Sequence, residues 1–169
     1  LYAWGNGENS SEVLSHFQEA ANHLAQCSSR NGVVSTLVRM GGYYTNMYLQ
    51  PPHADTLAKA ALSALHRALN IGKDVEVLTQ LAVTHHHKAV FASQSGELLN
   101  PSLDSVRFYY NAALDFVKTS ENPNDLDILS ENIALLCPSM GDCNDWVRAV
   151  SKAAQAMLLQ KQTRMKAAQ

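Results

Sequence analysis

The chain has 169 residues, of which 46% are apolar and 17% charged, with a formal net charge of −2 at neutral pH. That balance excludes intrinsic disorder, which goes with few apolar and many charged residues, and it excludes bulk electrostatic binding of nucleic acid, which needs a basic face. No apolar run approaches the ~20 residues of a membrane-spanning helix, and three cysteines are too few for a disulfide-built scaffold.

Ala and Leu lead the apolar residues, and both favour helix. Aromatic residues make up only 7%. Helical walls built this way are thin and smooth. They pack very closely, or they leave room for something that is not protein. The chain begins at Leu1 rather than Met, so a processed or trimmed protein is expected.

In chain order, Asn9-Ser10-Ser11-Glu12 opens a first helix, with a capping hydroxyl and an acid at the positive end of the dipole. Val13, Leu14, Phe17, Ala20, Ala21 and Leu24 continue it at helical spacing. Ser28 to Gly32 is expected to end this helix, with Asn31-Gly32 as the breaker. Val33 to Met40 predicts a short helix that Gly41-Gly42 interrupts. Tyr43 to Gln50 fits either helix or extended chain, and Pro51-Pro52 forces a stop. A helix over Asp55 to Ile71 presents Leu57, Ala60, Ala61, Ala64, Leu65 and Ala68 on one face, and Gly72 is expected to close it in a left-handed cap.

A fourth segment runs from Asp74 to Phe91 and carries His85-His86-His87. Asn100-Pro101-Ser102 opens a helix to Thr119. Leu126 to Cys137 predicts a shorter one, broken by Pro138 to Gly141. Asp142 or Asn144 caps a last helix that reaches about Lys166. No stretch alternates with period two long enough to need a strand. The expected fold is all-α, one domain over 1–169 with six to eight helices and short loops.

The histidine triplet is the most informative feature. Neighbouring helix residues point ~100° apart, so the three cannot chelate one ion together. Against the stripe of Leu78, Ala82 and Ala89, His85 lies near the middle, His86 lies on the flank beside Ala82 and Val90, and His87 is expected to face solvent. A buried imidazole needs hydrogen-bond partners or must stay neutral. Spacing alone favours a satisfied core histidine over a ligand. Asn111 follows Tyr110 in an otherwise apolar stretch and needs a partner if buried. Tyr48, Tyr109 and Tyr110 belong to the aromatic concentrations, for which packing is the default explanation. No Gly-rich phosphate loop and no nucleophile elbow occurs, and the acids are scattered, so no catalytic residue is assigned and no enzyme is expected. Cys137 and Cys143 bracket a turn containing Pro and Gly and are expected to lie close enough to be oxidised, with Cys27 unpaired.

Two stretches then carry a resemblance. The first is Tyr48-Leu49-Gln50-Pro51-Pro52, followed by an Ala/Leu helix and a helix ending in His86-His87-Lys88-Ala89. The second is a Gly-containing loop followed by Asn111-Ala112-Ala113-Leu114. In this order and spacing the chain resembles the peridinin–chlorophyll a-proteins of dinoflagellates, over roughly residues 40 to 120. Residues 1–40 would be an N-terminal helical extension and 41–166 the family-like core. The Trp that precedes Asn-Ala-Ala-Leu in that family is absent, with Tyr109 and Tyr110 nearby.

The resemblance implies a light-harvesting protein of the chloroplast thylakoid lumen. It implies an open, boat-like helical half-shell around chlorophyll a and a carotenoid of the peridinin type. A half-shell needs a twin or another partner, so a homodimer or docking to a thylakoid photosystem complex is expected. His86 matches the histidine that holds the chlorophyll magnesium through a water, although spacing alone prefers His85. Asn111 matches an asparagine in polar contact with a carotenoid, and Tyr48 and Tyr110 are candidates for stacking on pigment. A pigment-poor structural luminal subunit of a photosystem complex is the alternative. An unrelated helical ligand-binding protein is a further one.

Overall fold

The computed structural model describes residues 10–50, 54–95, 100–120, 122–140 and 144–167. All described elements are helices: α1 (Ser10–Gln26), α2 (Arg30–Tyr48), α3 (Asp55–Ile71), α4 (Val75–Ser95), α5 (Asn100–Thr119), α6 (Pro123–Met140) and α7 (Asn144–Ala167). The all-α expectation therefore holds. The chain divides into two compact units, Leu1–Lys73 and Asp74–Gln169. Residue 40, the edge of the expected extension, lies inside α2.

The first unit is built on an α2–α3 hairpin with α1 packed on α2. The glycines are the surprise. Asn31-Gly32 lies in the first turn of α2 and does not break the chain. The reversal falls at Ser28, the first residue of the expected Ser28 to Gly32 break, whose φ of 55° puts it in the left-handed region. Gly41-Gly42 continues α2 as well, joining two predicted segments into one helix. The reason is tertiary: a Cβ on Gly41 would stand 2.5 Å from Leu65 Cγ, so α2 and α3 approach too closely there for any side chain. Antiparallel pairing about this contact sets Val38 level with Ala68, Thr45 with Ala61, and Tyr48 with Ala58. All of them are buried.

Gly72 closes α3 in an extended conformation, φ −158° and ψ 131°, rather than the expected left-handed one. Its N–H donates to the Ala68 carbonyl at 2.9 Å. The Arg30 side chain donates to the Ile71 carbonyl, satisfying an end of α3 that a left-handed cap otherwise serves.

In the second unit α4 packs on α5 and α6, and α7 packs on α5 and α6. Asp74 starts α4: its Oδ1 accepts the backbone N–H groups of Glu76 at 2.7 Å and Val77 at 3.1 Å. Ser120, Asn122 and Asp125 form a polar turn into α6, with Asn122 Nδ2 donating to Asp125 Oδ1 at 2.9 Å. That helix runs three residues beyond the expected end at Cys137. Cys143 lies outside the described residues, as does the side chain of Cys137, so the expected staple falls there too. Cys27 is an exposed free thiol.

Candidate functional site

Unit two holds three of the four residues singled out from sequence, and Tyr48 belongs to unit one. Tyr48 is 5% exposed near the end of α2, within the hairpin seam. Its ring is a core element of its own unit.

Among Val75–Phe91 only Glu76 is exposed. The single-stripe picture of α4 therefore fails, because the helix is enclosed nearly all round, as a central helix is. Two consequences follow for the triplet. His86, not His85, is the fully buried member, at 4% exposure, because Val75, Thr79 and Thr84 widen the buried arc beyond the Leu78, Ala82 and Ala89 stripe. His87 is half-buried, which corrects the expectation that it faces solvent.

Burial sets the charge state. Desolvation lowers the His86 pKa below the ordinary histidine value. His87 is lowered to about 4, first by burial and then by the neighbouring His86. The two rings meet edge to face at a centroid distance of 5.6 Å. Both imidazoles are neutral at neutral pH. His85 stacks flat on Tyr109, with centroids 5.6 Å apart and planes 17° from parallel.

Four residues separate α4 from α5 in the chain, so the two are antiparallel neighbours. The His85–Tyr109 stack fixes their register. Counting from it, Leu78 is level with Phe116, Ala82 with Ala112, and Ala89 with Ser105. His86 falls at the level of Phe108, one residue before the stacked Tyr109. The layers on either side of it are thus built from small residues.

Tyr110 is 1% exposed. Its ring lies 5.3 Å from that of Trp146, tilted by 53°. Burial raises the Tyr110 pKa, so the phenol stays protonated. Its Oη is buried with no hydrogen-bond partner among the described residues. Asn111 is exposed, and its Oδ1 accepts the Trp146 indole N–H at 3.1 Å. Trp146 therefore joins the two neighbouring candidates, one through its ring and one through its nitrogen. Sequence reasoning missed it. The available signal was a tryptophan, one of two in an aromatic-poor chain, just after a helix cap.

Among the described residues no three His, Cys, Asp or Glu side chains form a metal-binding group. No described helix is long and apolar enough to cross a membrane. No protein-family model, curated protein or solved structure matches the chain.

Proposed function

We propose that the protein is a light-harvesting antenna that binds chlorophyll a with a peridinin-type carotenoid and passes excitation energy to a photosystem, in the thylakoid lumen. The observation that carries this reading is His86: a neutral imidazole, buried on a central helix between layers of small residues. A magnesium-bound water needs a neutral acceptor, and a protonated histidine cannot serve as one. Chlorophyll, when bound, supplies the red absorption and the excited state. The chain's own residues position it and exclude water.

The fit is one of chemistry first. His86 is only 4% exposed, too little for a tetrapyrrole ring to lie against it in this packing. Seating the ring beside that water requires α4 to part from a neighbour. Pigment uptake is then coupled to a change in packing around His86. Asn111 is already exposed and exchanges its Trp146 partner for a polar pigment group at little cost. A partner copy or a photosystem complex fits the apolar side chains left outside, Phe108 on α5 and Val147 and Leu159 on α7.

The enclosure of His86 and Tyr110 also favours a second reading, a pigment-poor structural subunit of a luminal photosystem complex. Reconstitution with chlorophyll a and peridinin separates the two. His86→Leu keeps the volume and removes the acceptor, so chlorophyll binding should weaken by about tenfold or more, as expected for a lost hydrogen bond. His85→Leu and His87→Leu should retain it. A His85→Leu protein that loses chlorophyll while His86→Leu keeps it moves the role to His85. Equal retention by all three removes the triplet from pigment binding.

A further inference from the structure

The Tyr110 hydroxyl does not fit a purely structural role. Its ring is spent on Trp146, at 5.3 Å, and is closed to solvent. Stacking on a further flat molecule is thus not what the residue offers. What it offers is the oxygen at the far end: buried, protonated, and without a hydrogen-bond partner among the described residues. Phenylalanine would fill the same space without leaving a polar atom unsatisfied. A buried hydroxyl left unpaired is costly, and such groups in folded proteins are almost always satisfied by protein, by water or by ligand.

We infer that Tyr110 Oη is the donor of a small buried polar site in the second unit, walled on one side by Trp146, which takes one neutral acceptor oxygen. Charge complementarity sets the class. A phenol donates one hydrogen bond, and the Trp146 ring beside it, with the Asn111 amide that its indole meets, is uncharged. A carboxylate or phosphate would be stripped of water there without a cation to replace it. A carbonyl or hydroxyl oxygen on an otherwise apolar molecule loses little on entry. An internal water has the same acceptor chemistry. This assignment deepens the antenna reading when the oxygen belongs to a carotenoid, and stands without it when the oxygen is water.

The test deletes one atom. Tyr110→Phe keeps the ring against Trp146, and in a Trp4→Phe background the remaining indole emission checks that this packing is unchanged. Thermal unfolding is then compared for the protein alone and for protein incubated with chlorophyll a and peridinin, with pigment uptake read separately by absorption. A midpoint lowered by about 3 °C in both states identifies a bound water as the acceptor. A lowering confined to the pigment-loaded protein identifies the carotenoid oxygen. A variant as stable as the parent or more stable in both states overturns the assignment, since the hydroxyl then has no acceptor to lose. Pigment uptake can fail while the first result stands, so the two readings fail separately.

Discussion

At the residue scale the histidine triplet shows how far three identical side chains diverge on one helix. His86 is the most enclosed and is lowered by burial alone, while His87 is lowered to about 4 first by burial and then by the neighbouring His86. The consequence for stability has a definite sign. Both pKa values lie below the ordinary histidine value, so on acidification the unfolded chain takes up these protons first. The stabilisation is complete above about pH 6.5, the unfolded value, and is lost as the pH falls towards about 4. Urea unfolding at pH 7.5 and pH 4.5 should show a clear drop in midpoint, smaller in His87→Gln. A midpoint equal at both pH values would mean that the triplet is solvated.

At the element scale most of the helices were legible and their junctions were not. Ser10 to Glu12, Asp74 and Asn100-Pro101 announced helix starts, and the alanine face of α3 announced its burial. What misled was glycine. Locally Gly41-Gly42 is a breaker, costing about 1 kcal/mol each against alanine in a helix. Its value lies in the approach of α3, a long-range fact with no local signature. The competition can be measured. Gly41→Ala gains that helix propensity but places a Cβ 2.5 Å from Leu65 Cγ, and overpacking typically costs about 1–3 kcal/mol. The clash should win, with net destabilisation of about 1 kcal/mol or more in urea titration. Adding Leu65→Ala should make the Gly41→Ala change less harmful than it is alone. Strictly additive effects would contradict the packing account.

The candidate site was legible only in part for the same reason. Burial of the triplet could be argued from α4 alone, but its order could not, because α5 and α6 both cover that helix. Asn111 and Tyr110 were visible as a polar residue and an aromatic one in an apolar stretch. Their shared neighbour Trp146 lies 35 positions from Asn111, and no spacing rule links such positions.

At the scale of the whole molecule, two helical units each carry their own core, one sealed by glycine and alanine, the other centred on α4. Within the second, a layer flanked by small residues holds a neutral imidazole, and Tyr110 on α5 keeps a hydroxyl in reserve. A core made for protein packing alone has little use for either. The antenna reading gives both a task, and it makes a demand on the protein as isolated from its source. The absorption spectrum of that protein, taken before any reconstitution, is the most direct measurement. A red chlorophyll band together with a broad blue-green carotenoid band is the predicted result. A colourless protein that also takes up no chlorophyll when offered it would contradict the proposed function.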